Sequence, residues 1–81
     1  MSKRLDERIE VIADAQGRPL RLRRGPRQVQ VQQIVDEWEE ASCWWQGEKA
    51  IRVYRVLTSD GVVWELHYHA SNHWRLYRIY D

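Results

Sequence analysis

The chain has 81 residues, a net charge of +1, five tryptophans, four tyrosines, no phenylalanine and one cysteine. That length makes one small domain over residues 1–81, which buries only ~60–65% of its unfolded surface and so draws core bulk from a few large rings. A single cysteine excludes an internal disulfide framework, no apolar run reaches the ~20 residues of a spanning helix, and the charged start Met-Ser-Lys-Arg-Leu-Asp-Glu-Arg lacks a signal segment, so a soluble cytoplasmic protein without membrane contact is expected.

In chain order, residues 1–7 are charged and read as a frayed lead. Residues 8–13 set Ile9, Val11 and Ala13 against Glu10 and Ile12, the alternation of a strand. Gly17 and Pro19 mark a turn. Residues 20–24 alternate Leu20 and Leu22 with arginines, which predicts a half-buried strand with a basic outer row, and Gly25-Pro26 ends it. Residues 28–31 alternate again. Val31, Ile34, Val35 and Trp38 then stand at i, i+3, i+4 and i+7, a helical spacing. No capping residue precedes Val31, and Glu39 and Glu40 lie at the wrong end for a helix dipole. A strand with a bulge at Gln32-Gln33, running to about Val35 or beyond, is therefore preferred to the helix. Ala41-Ser42-Cys43 reads as a connection, and Trp44-Trp45-Gln46-Gly47-Glu48 leads into the C-terminal half.

Residues 51–57 and 62–68 are rich in β-branched and aromatic side chains, and Thr58-Ser59-Asp60-Gly61 between them fits a type I turn closed by a left-handed glycine. A three-residue loop pairs Thr58 with Val62 and sets Val56 against Trp64, Tyr54 against Leu66 and Arg55 against Glu65. It pairs charge with charge and apolar with apolar, which the two-residue alternative does not. A second turn near Ser71-Asn72 returns the chain. Its simplest register sets Leu66 against Tyr77, Trp64 against Ile79 and Glu65 against Arg78. The predicted core face is Tyr54, Val56, Trp64, Leu66, Tyr77 and Ile79. The other face carries the row Arg55, Glu65, Arg78 with Val63, Leu57, Leu76 and Trp74. A sheet apolar on both faces curls or is covered. Five or six short strands in meander order thus predict an all-β, barrel-like domain.

Few residues carry recognisable chemistry. His67 and His69 share a strand face, and His73, Cys43 or Glu65 could complete a zinc set, but three histidines at a strand end need no metal to explain them. Cys43 has no oxyanion hole or orienting acid at a known spacing, and Glu65 between arginines stays ionised, so no enzyme, metal or cofactor is expected. Arg21, Arg23, Arg24 and Arg27 lie in a stretch without acids, whereas residues 36–40 hold four acids and no base. The arginines could grip phosphates beside a stacking aromatic, as single-strand-binding barrels do, or could be solvated stems over the core. Trp44 and Trp45 resemble the tryptophan pair of SH3 domains, where one ring floors a peptide groove.

The order of features carries a wider resemblance. It runs Gly17-Arg18-Pro19, Val-Gln-Gln-Ile-Val-Asp-Glu-Trp, Trp44-Trp45, Ile-Arg-Val-Tyr-Arg-Val-Leu-Thr-Ser-Asp-Gly and the closing Trp-Arg-Leu-Tyr-Arg-Ile-Tyr-Asp. This resembles a small bacterial family of domains of unknown function over nearly the whole chain. It is also similar to the C-terminal segment of the polymerase-like subunit of the bacterial inducible mutagenesis cassette, with Tyr54 and Val56 at matching positions and Val53 where a second aromatic stands. The resemblance implies a stand-alone β domain tied to DNA-damage tolerance and brings no catalytic residues. The expected function is a binding or adaptor module contacting single-stranded nucleic acid, or a damage-response protein, through Arg21, Arg23, Arg24, Arg27, Trp44 and Trp45. The alternative is an SH3-like peptide-binding module, with the acidic residues 36–40 beside an aromatic groove.

Overall fold

The computed structural model describes residues 2–40, 51–69 and 73–80, with backbone alone for residues 2–4 and 6. Its strands are β1 (Ser2–Ala13), β2 (Pro19–Arg24), β3 (Arg27–Glu40), β4 (Ile51–Thr58), β5 (Val63–His69) and β6 (His73–Tyr80). Each pairs antiparallel with the next in sequence, and β6 returns to β1, so the sheet closes into a barrel. The expected all-β barrel in meander order is what forms. Closure pairs β6 with β1 and so removes the two outer edges that a flat six-stranded meander would carry.

The turn between β4 and β5 follows its sequence. Gly61 holds φ at 78°, its N–H donates to the Thr58 carbonyl at 2.9 Å, and the Thr58 N–H donates to the Val62 carbonyl at 2.9 Å. The register follows: Tyr54 faces Leu66, Arg55 faces Glu65 and Val56 faces Trp64. Ser59 ties this turn to β3, donating its N–H to the Gln30 carbonyl at 2.8 Å and accepting the Gln30 N–H on its hydroxyl at 3.2 Å.

The β5–β6 register departs from the simplest one. Trp64 faces Ile79 and Glu65 faces Arg78 as predicted, but Leu66 faces Leu76, and the ladder shifts between Glu65 and Leu66. The extra residue reverses side-chain parity below it, so Leu76 and Trp74 turn inward and Tyr77 does not. The core is Ile9, Leu22, Val29, Tyr54, Val56, Trp64, Leu66, Trp74 and Leu76, with Leu5, Val11, Val31, Ile34 and Ile79 packed partly buried against it. Each fully buried leucine or valine contributes about 1.5–3 kcal/mol by leaving water.

Residues 31–40 form strand, not helix, and the ladder with β4 shifts at Gln32 and again at Val35. The strand reaches Glu40, with Val29 buried and Val35 exposed. β1 begins at Ser2, not Arg8, because Ser2, Lys3 and Arg4 pair with Tyr80, Ile79 and Arg78, so the expected frayed lead is backbone of the closing seam. In β2 the expected core role of Leu20 is also corrected. Ile12 pairs with Arg21 and Ala13 with Pro19, which leaves Leu20 as the unpaired residue of a bulge. Pro19 and Leu22 are buried in consequence, while Leu20 is 50% exposed. The readings placed on Cys43, Trp44, Trp45 and the Ser71-Asn72 turn lie outside the described residues.

Candidate binding site

The four candidate arginines do not act as one basic patch. Arg24 bonds Glu7 on β1, and Arg27 bonds Asp60 in the β4–β5 turn, which pins that turn to the start of β3. Arg23 has its Nη1 3.8 Å from Glu10 and donates its Nε to the Gly25 carbonyl at 3.3 Å. Arg21 stands between Ile12 and Gln30 in register and, of the four, is the one without an ion pair among the described residues. Cross-strand acids thus meet three of the four guanidiniums. These acids belong to β1 and to the β4–β5 turn, so the arginine-only stretch of the sequence gives no sign of them.

A second cluster lies on the outer face of β4, β5 and β6. Glu65 is only 6% exposed there. Its carboxylate accepts Arg55 Nε at 3.1 Å and the Tyr80 hydroxyl at 2.9 Å, and meets His67 Nε2 at 3.0 Å. Burial alone would raise its pKa, but the hydrogen bonds from His67, Tyr80 and Arg55 outweigh it and hold the carboxyl below its ordinary range. The predicted Arg55–Glu65 pair forms. Arg78 faces Glu65 in the backbone ladder, yet its guanidinium lies over the Tyr77 and Tyr80 rings. The Arg55 guanidinium likewise lies over two rings, 4.9 Å from the Trp38 ring centre and 5.3 Å from that of Tyr80. His67 stacks on Tyr77 with ring centres 4.3 Å apart. These contacts occupy the cluster's groups with one another, which makes it a cover for the outer face of the sheet. Among the described residues no group of three or more His, Cys, Asp or Glu is placed to hold a metal.

A third arrangement of rings lies at the barrel mouth. A cleft of about 450 Å³ lies between the β1–β2 turn and the ends of β3 to β6. Asp14 builds the rim by accepting the Gln16 and Arg18 N–H groups on Oδ1, each at 2.9 Å, and Gly17 takes a φ of 83°. Tyr54, Tyr68 and Trp74 line the cleft, with Trp74 5.6 Å from Tyr54 and 4.7 Å from Tyr68, ring centre to ring centre. Arg18, Glu37 and Arg52 complete it. Arg52 Nη2 lies 3.6 Å from Glu37, and Arg52 Nη1 bonds Glu39 at 3.2 Å.

Tyr54 is 5% exposed. Burial raises its pKa, Arg52 pulls it down and Glu37 adds to the rise, so the hydroxyl keeps its proton. Among the described residues no group hydrogen-bonds that hydroxyl and no side-chain N or O atom is both enclosed and unpaired, so its oxygen opens to the cleft. The sequence places Tyr54 on the core face but gives no hint of a mouth. Continuing the inner parity of β4 to Arg52 and of β5 to Tyr68 would have found its wall.

The family described as Domain of unknown function (DUF6504) matches residues 1–81. The expectation of a domain family of unknown function is met, whereas the likeness to the mutagenesis-cassette subunit has no counterpart in these findings. No curated protein and no solved structure matches the chain.

Proposed function

The chain belongs to that family of domains of unknown function, and we propose that it is a binding module and not an enzyme, holding a partner protein chain at the barrel mouth. The observation that carries this reading is the aromatic cleft of Tyr54, Tyr68 and Trp74, in which the Tyr54 hydroxyl has no partner among the described residues and carboxylates stand alongside. Concave sites lined by rings with a few polar groups are where small barrels hold ligands. The cleft opens next to the acidic arm of β3, so a basic extended segment suits it better than a polyanion. A nucleic-acid reading needs free arginines along β2 and β3, and three of the four are met by acids. A place in DNA-damage tolerance rests on the sequence resemblance alone and names where a partner would be sought.

The test is a tryptophan-fluorescence titration of the whole protein, since Trp74 lies in the cleft wall. A lysine-rich extended peptide should shift the emission, and a short single-stranded oligonucleotide should leave it unchanged at low salt. Oligonucleotide binding that weakens with salt at a slope of about −0.7 per phosphate contact would overturn the reading in favour of nucleic acid.

A further inference from the structure

The β2–β3 ladder runs from the Arg24–Arg27 rung to the Arg21–Gln30 rung and stops there. Beyond it β3 pairs on one edge with β4, from the Val31–Thr58 rung to the Glu40–Ile51 rung. Over residues 32–40 no described strand borders the other edge of β3. The β1–β2 ladder ends at the Ala13–Pro19 rung, so its turn faces that edge across the cleft, where Gln16 and Arg18 line one side and Glu37 the other. The seam between β2 and β3 is hydrogen-bonded at one end and, among the described residues, open at the other.

We propose that this seam takes an extended basic segment of a partner protein as an added strand against residues 32–40 of β3, with the mouth receiving a side chain as the segment passes. The inference rests on the reading of the mouth as a partner-binding site and adds its binding mode and chemistry. An unpaired strand edge offers a row of N–H and C=O groups that a second strand satisfies. The charge on this edge selects the occupant. It carries Asp36, Glu37, Glu39 and Glu40, and of the four Arg52 meets Glu37 and Glu39. Among the described residues Asp36 has no basic partner, and Glu40 accepts only the Trp38 indole N–H, at 2.9 Å. A second copy of this edge would bring like charges face to face, which excludes pairing of β3 with itself. Val35, 51% exposed just before these acids, supplies an apolar contact for a segment whose lysines or arginines alternate with apolar residues.

The probe is an acetylated peptide alternating lysine and valine, about nine residues long to match the open edge. Two further versions carry N-methyl groups on alternate backbone nitrogens, one set for each edge of the peptide. Binding should slow amide hydrogen exchange over residues 32–40. One N-methyl version should lose affinity about tenfold or more and the other should keep it, because only one edge of the peptide pairs with β3. The exposed double variant Asp36→Lys, Glu40→Lys, checked for folding by circular dichroism, should bind the unmodified peptide about tenfold more weakly. Equal binding of both N-methyl versions, or unchanged affinity in the double variant, would overturn strand addition. The mouth reading would survive if the Tyr68 and Trp74 resonances still moved. No binding of any version would overturn the proposal outright, and oligonucleotide binding in its place would overturn the mouth reading as well.

Discussion

Leu66 lies directly across from Leu76, both fully buried, and the residue this register leaves over, Tyr77, stacks its ring on His67 at 4.3 Å. One extra residue in β6 therefore serves two layers. It delivers Leu76 and Trp74 to the barrel interior, and it delivers Tyr77 to the outer cluster around Glu65.

The two roles differ in magnitude. Leu76→Ala should cost about 2–5 kcal/mol, since it empties a fully enclosed site, and Tyr77→Ala about 1–2 kcal/mol, since it removes a half-exposed stacked ring. Urea unfolding of the two variants measures the difference. Equal losses would mean that Tyr77 is a core residue after all.

β2 offers the same contrast within three residues. Leu22 is fully buried and Leu20 is 50% exposed. Leu22→Ala should destabilise by about 2–5 kcal/mol and Leu20→Ala by less than about 0.5 kcal/mol. Thermal melts of both variants decide whether the bulge at Leu20 is where the ladder places it.

Glu65 should couple stability to acid. Its folded-state pKa lies below the ordinary 4.5, so the folded form is favoured by the ionised carboxylate. Its contribution is complete above that ordinary value and is lost as pH falls through the folded one. Glu65→Gln should cost about 1–3 kcal/mol at neutral pH, because Arg55 and its neighbours lose a charged acceptor. It should also flatten the fall of Tm between about pH 5 and about pH 3 relative to the native protein. Parallel acid slopes for the two proteins would show that other carboxylates set the acid limit.

Gly61 tests the turn. A Cβ added there meets nothing within 4 Å, so any cost is conformational, from a φ of +78°. Gly61→Ala should cost about 1–2 kcal/mol and Gly61→Asn less, which for a domain of this size is roughly 4–8 °C of Tm per kcal/mol. An unchanged melt in Gly61→Ala would mean that the turn relaxes to another type.

Local chemistry was legible wherever one short segment settles its own conformation. Thr58-Ser59-Asp60-Gly61 dictates its turn, the turn dictates the β4–β5 register, and alternation names Val56, Trp64 and Leu66 as interior. The strand at residues 31–40 could be read because no cap or dipole supported a helix there. Bulges escaped where they depend on fit between strands. Nothing in Leu-Tyr-Arg or Pro-Leu-Arg announces that Tyr77 or Leu20 is the odd residue, because the parity switch is made by what the neighbouring strand needs to bury. The partners of Arg24 and Arg27 escaped for the same reason. Glu7 and Asp60 lie 17 and 33 residues away in sequence and reach them only once the barrel closes. The sequence by itself determined a β-barrel meander and most of its rungs, since turns and alternation act over a few residues. Closure alone decided which arginines are neutralised, which rings wall the mouth and which edge of β3 stays open, because each is a distance between segments that meet only in the folded chain.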